Sequence, residues 1–225
     1  MPGCLGRRRR CYRPGMAIDM ATWILPALAF AVAMSATPGP NNVMVAASGA
    51  TFGFRPTMPH ILGISVGFPV MVALVAVGAG GPLHEFPWLQ QTLRWVGGAY
   101  LLWLAWRIAS AAPVAAGEDG RARAERRGRP MTFWQAAAFQ WVNPKAWVIA
   151  AGAVVTYADG SGAAFWAQAG LLAAIFLATT ILAVAMWAGI GAGVARILRT
   201  PRALRRFNLA MAGLLVLSLV AMLLE

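Results

Sequence analysis

The residues best placed to do chemistry fall in two short stretches, Thr37-Pro38-Gly39-Pro40-Asn41-Asn42 and Gln140-Trp141-Val142-Asn143-Pro144-Lys145. Each interrupts a long apolar run. Pro38 and Pro40 remove two backbone donors and Gly39 opens dihedrals closed to other residues, so one helix should stop at Thr37 and another start with Pro40 as its first residue. In the second stretch Asn143 has the side chain of an N-cap and Pro144 suits the first helical position. Both new helices would turn unpaired amide donors and partial positive charge toward their breaks, and Lys145 adds an ammonium. Such donors suit a carboxylate, while the side-chain oxygens of Asn41, Asn42, Gln140 and Asn143 could accept from the amine of the same molecule. The candidate binding residues are therefore Pro38, Gly39, Pro40, Asn41, Asn42, Gln140, Asn143, Pro144 and Lys145.

The depth of Lys145 gives this reading its weight. It lies twelve residues from both Phe133 and Tyr157, about 18 Å from either end if both flanks are helical. An ammonium at mid-bilayer costs about 2.5–3.5 kcal/mol on insertion scales, so such a residue usually faces a cavity or a partner. Blander readings exist: a lone proline is often only a kink, and a lysine can snorkel to an interface. Two breaks in corresponding places, one carrying the lysine, favour a site.

The elements that must position these residues are membrane helices. Of 225 residues 60% are hydrophobic and 12% charged, against about 45–50% apolar and about 25% charged in a soluble domain. No Asp, Glu, Lys or Arg occurs in 20–54, 56–84, 146–158, 160–195 or 207–224, and about 20 apolar residues cross a bilayer core. The runs lack the alternation of a barrel strand. The resulting expectation is an all-α integral membrane protein of six transmembrane helices, built as two inverted three-helix repeats whose first helices are broken, an arrangement in which transporters bind substrate near the midplane. Residues 1–19 read as a basic leader, 20–109 and 132–225 as the two membrane halves, and 110–131 as a polar loop between them.

The net charge of +12 comes from eighteen arginines and a single lysine. They collect between apolar blocks, which fits lipid headgroups and the positive-inside rule better than nucleic acid. Arg55, the loop 110–131 and the loop 195–206 occupy alternate connections and should be cytoplasmic. Arg7, Arg8, Arg9, Arg10 and Arg13 argue the opposite for the N-terminus. Either translation starts at Met16 or Met20, or the first segment does not cross fully and five crossings remain.

What is missing also narrows the function. No carboxylate lies within a span, so a carboxylate proton relay has no residue to use and a dicationic substrate no buried counter-charge. A neutral, zwitterionic amino acid is favoured. His60 reads as a boundary histidine in preference to a proton carrier. Cys4 and Cys11 sit in the leader, and no metal-ligand spacing, nucleophile elbow or phosphate loop occurs, so no enzyme, metal site or cofactor is expected. Spans without acids are poor ligands for a hard-cation carrier; a non-transporting membrane scaffold is the alternative from another class. Gly49 with Gly53 and Gly63 with Gly67 have the spacing of close helix packing.

With these residues in view the chain resembles the LysE/RhtB amino-acid exporters. The likeness is carried by Thr37–Asn42, Gly53-Phe-Arg55, Gly63-Ile-Ser-Val-Gly-Phe68, Trp95-Val-Gly-Gly-Ala-Tyr100, Trp103-Leu-Ala-Trp106 and Phe139–Lys145. It is most similar to the branch exporting cysteine and O-acetylserine, which also has Asn-Asn after the Pro-Gly-Pro. The resemblance implies a six-helix carrier of the bacterial inner membrane that exports small amino acids, driven by the proton gradient. Asn41 stands where many members have Asp, which agrees with a neutral substrate. The expected partners are the amino acid and the bilayer, with a homodimer as the assembly to test.

Overall fold

The computed structural model describes residues 19–79, 87–110, 129–158, 162–197 and 200–224, which are helical with no strand among them. The leader before residue 19 and most of the 110–131 loop lie outside the described residues. A π-helical turn, Met20–Ile24, leads into α1, Leu25–Ala36. Then come α2, Pro40–Phe52, a short 3-10 turn at Arg55–Thr57, α3, Met58–Leu74, and α4, Pro87–Ala109. The second half holds α5, Phe133–Val142, α6, Pro144–Tyr157, α7, Gly162–Ile197, and α8, Pro201–Leu224.

Both breaks fall where the prolines require them. Pro40 and Pro144 each occupy the start of a helix, where the missing N–H costs no hydrogen bond. The α1–α2 pair is bent by 52°. Gly39 departs from expectation, because its backbone is extended with φ −175°, a conformation open to any residue. Its lack of a side chain matters for another reason: a Cβ there would stand 2.9 Å from both Cδ and Nζ of Lys145. The glycine that needs its freedom is Gly53, which ends α2 with φ 89°.

Among the described residues, Arg55–Gly78 and Gly162–Val194 are each long and apolar enough to cross a bilayer, and α1 with α2 does so as a bent pair. Helix α2 runs through the centre and is buried continuously from Asn42 to Ala50. It packs most extensively on α7, where Gly49 abuts the Ala188 backbone and Gly191 abuts the Ala46 backbone. Gly63 meets Phe133 and Ala136 while Gly67 meets Ala137, so α3 and α5 run in the same direction in close contact. Of the four glycines singled out by spacing, three make these contacts and Gly53 makes a turn. Leu62, Val66 and Val70, four residues apart, leave an exposed apolar stripe on α3, the face a lipid-embedded helix turns outward.

Sequence ends that alternate along the chain meet in space. The end of α2, the start of α3, the end of α4 and the segment before α5 enclose one cavity lined by Phe52, His60, Arg107 and Arg129. Phe207 of α8 packs against the same core cluster as Ile108 and Ala109 of α4. The far end is closed by Trp23, whose Nε1 donates to Tyr157 O at 2.7 Å, and by Tyr157, whose hydroxyl donates to Pro26 O at 3.2 Å.

Candidate functional site

A helix that stops inside a membrane leaves its last carbonyls without partners, and no water is at hand to take them. At the end of α1 these oxygens are met in turn. Thr37 N donates to Ala33 O at 3.0 Å and Thr37 Oγ1 to Met34 O at 3.0 Å. Asn42 Nδ2 donates to Ser35 O and to Thr37 O, each at 2.8 Å. Trp187 Nε1 reaches from α7 to Ala36 O at 3.2 Å. Lys145 Nζ, from the other break, donates to Thr37 O at 3.1 Å, Thr37 Oγ1 at 2.9 Å and Pro38 O at 3.3 Å. The two interruptions therefore lie together, and the ammonium sits against the negative end of the α1 dipole. Trp187 and Thr37 were not among the sequence candidates; Trp187 gives no local signal, since its partner is 151 residues away. Replacing Trp187 by Phe removes the only donor named for Ala36 O while keeping an aromatic ring. It should destabilise the protein by about 1–3 kcal/mol, read as a lowered thermal midpoint in detergent; an unchanged midpoint would refute the capping role.

The remaining candidates divide by what they touch. Asn41 and Gln140 form a reciprocal amide pair, with Asn41 Nδ2 donating to Gln140 Oε1 at 2.8 Å and Gln140 Nε2 to Asn41 Oδ1 at 3.2 Å. Gln140 Nε2 also donates to Ala136 O at 2.9 Å, and the residue is fully buried. The pair thus ties the two broken segments together. Asn143 occupies the N-cap position of α6, yet its side chain makes no capping bond. Its Oδ1 is buried with no hydrogen-bond partner among the described residues. Nor does a side chain cap the start of α2. Trp141 packs at the break: its ring lies 5.8 Å from that of Trp147, whose Nε1 donates to Trp141 O at 2.8 Å.

Gly39, Pro40, Asn41, Asn42, Asn143 and Lys145 all line one cavity of about 40 Å³. Phe68, Phe176, Thr180 and Val184 from α3 and α7 complete its wall. Among the described residues no Asp or Glu lines it. Its chemistry is that of two uncapped helix starts, one ammonium and one unsatisfied amide oxygen, which matches a carboxylate and an amine on the same small molecule. Space for about three waters at 10–15 Å³ each is less than an amino acid needs, so admission requires the walls to part. Pro38 and Pro144 shape the two breaks, Pro38 through its carbonyl to Lys145. His60 is 2% exposed and lines a different cavity, together with Arg107 and Arg129.

Comparison with known proteins supplies the identity that geometry alone does not. A cysteine/O-acetylserine efflux protein of Salmonella choleraesuis (strain SC-B67) is 38% identical over 109 residues, which is 48% of this chain and 52% of that protein. One from Escherichia coli (strain K12) is 38% identical over 110 residues, with the same coverage. The chain thus spans about half the length of the curated relatives it matches. No solved structure matches. The model of the LysE type translocators matches residues 32–225, which include both breaks and the lysine that joins them. On that match the chain belongs to the LysE type translocators, a family of membrane transporters and not of enzymes.

Proposed function

We propose that this chain exports small neutral amino acids or their derivatives, of the cysteine, O-acetylserine or homoserine kind, across the bacterial inner membrane. The observation that carries the reading is the meeting of the two breaks around Lys145 in a cavity without acids. The substrate carboxylate docks at the starts of α2 and α6 with Lys145, and its ammonium donates to Asn143 Oδ1. In this reading the chain makes six crossings arranged as two inverted repeats. Shared direction of α3 and α5, and of the contacts that join the two breaks, agrees with it. The repeats rock about the bound amino acid, exposing it to alternate sides. The arginine-rich connections 110–131 and 195–206 face the cytoplasm by the positive-inside rule, and the proton-motive force drives the cycle, as the family resemblance implies.

The test feeds cells dipeptides of cysteine, homoserine and lysine and measures which free amino acid accumulates outside, with and without the protein. Accumulation of the neutral ones but not lysine is expected. Flux of none would favour a scaffold in which the breaks serve packing alone. Asn143→Ala should raise KM about tenfold by removing one acceptor from a charged donor, with the protein still in the membrane; an unchanged KM removes Asn143 from the site.

A further inference from the structure

A second and larger cavity, about 110 Å³, lies at the arginine-bearing end of the bundle. Its polar lining is Ser48 and Thr51 of α2, His60 of α3, Arg107 of α4 and Arg129 before α5. Among the described residues no Asp or Glu lines it. The Arg107 guanidinium lies 5.1 Å from the centroid of the Trp103 ring, which holds it in a defined orientation. The Ser48 and Thr57 hydroxyls lie 3.0 Å apart, and Thr57 donates to Gly53 O. His60 is different. It is 2% exposed, and neither Nδ1 nor Nε2 has a hydrogen-bond partner among the described residues. A buried imidazole with both nitrogens unpaired calls for a partner that the described residues do not provide.

Position on α2 links this cavity to the one at the breaks. Asn41 lines the first cavity, and Met44, Ser48 and Thr51 line the second. At spacings of three and four these residues follow one face of the helix, and the seven residues from Asn41 to Ser48 rise about 10 Å. The lining of the second cavity therefore begins about one turn from Asn41 and continues to nearly three turns along the same helix face.

We propose that this cavity is an oxyanion-binding site, in which Arg107 and Arg129 supply charge and His60 donates one ring N–H. Its ligand is a carboxylate or phosphate group, brought either by a solute approaching the breaks or by the headgroup of a phospholipid. The proposal stands apart from the exporter reading, since binding here is read without transport.

The experiment uses the full chain in nanodiscs with ring-¹⁵N histidine. The chain has two histidines, so His84→Gln leaves His60 as the only reporter. In one arm acetate is titrated against chloride at constant ionic strength in phosphatidylcholine; in the other, phosphatidylglycerol replaces part of the phosphatidylcholine without acetate. A saturable displacement of the His60 resonances in the first arm identifies a solute site, and in the second a lipid site. In either case Arg107→Gln with Arg129→Gln weakens binding about tenfold or more, while Arg107→Lys with Arg129→Lys retains most of it. No saturable displacement in either arm, or a displacement unaffected by the glutamine pair, overturns the proposal.

Discussion

Export of labelled substrate from loaded vesicles should fall roughly a hundredfold when Lys145 is replaced by methionine, with the protein still present in the membrane. The lysine has two tasks in one geometry. Its Nζ makes three hydrogen bonds to Thr37 and Pro38, joining the end of α1 to the start of α6, and among the described residues it supplies the only charged side chain lining the central cavity. Hydrogen bonds from a charged donor contribute about 1.5–3 kcal/mol each, so loss of one such contact to the carboxylate and one to the break accounts for a hundredfold or more. The fold should survive, because Thr37 O keeps its bond from Asn42 Nδ2 and methionine fills similar volume without burying an unpaired charge. Lys145→Arg restores charge but not fit: its planar fork meets Gly39, which already lies against the lysine stem. Intermediate export is expected of it. Full export by the methionine variant would remove Lys145 from both tasks.

The opposite outcome, loss of the protein with its chemistry untouched, is expected of Gly191→Ala. A Cβ at this position would fall on the carbonyl oxygen of Ala46. That atom belongs to the backbone of the most buried helix, so no side-chain rotation can relieve the clash. Overpacking of this kind costs about 1–3 kcal/mol and sometimes more. Gly193 is the control: the same methyl group there meets nothing within 4 Å, and the helix gains about 0.5–1 kcal/mol from the better helix former. Membrane yield and thermal midpoint should drop for Gly191→Ala and hold or rise for Gly193→Ala. Identical behaviour of the two variants would show that α2 and α7 are not in backbone contact there.

Much of the site could be read from local signals, because prolines act locally. A ring that fixes φ and deletes a donor sets the start of α2 at Pro40 and of α6 at Pro144 whatever surrounds them. The apolar runs likewise set the membrane environment, since bilayer thickness is a property of the solvent and not of the fold. The depth of Lys145 and the missing acids pointed to a carboxylate-bearing, neutral ligand by the same kind of reasoning, and the family match agrees with the class of protein this implied.

Which side chain serves which role was settled only by packing. Asn41, Asn42, Gln140 and Asn143 are chemically alike in the sequence, yet the first and third pair with each other, the second caps α1, and the fourth alone keeps a buried oxygen without a partner. An amide's role depends on the atoms within hydrogen-bond reach of it, and for Asn41 and Gln140 those come from a segment 99 residues distant. The same holds for Trp187, for His60 and for Gly39, whose small size answers to a lysine on another helix. Chain composition and local stereochemistry thus determined a membrane protein with two interrupted helices and an ammonium at the second break. The assignment of donors and acceptors around that ammonium belonged to the tertiary structure, because hydrogen bonds are short-ranged and their partners are chosen in space.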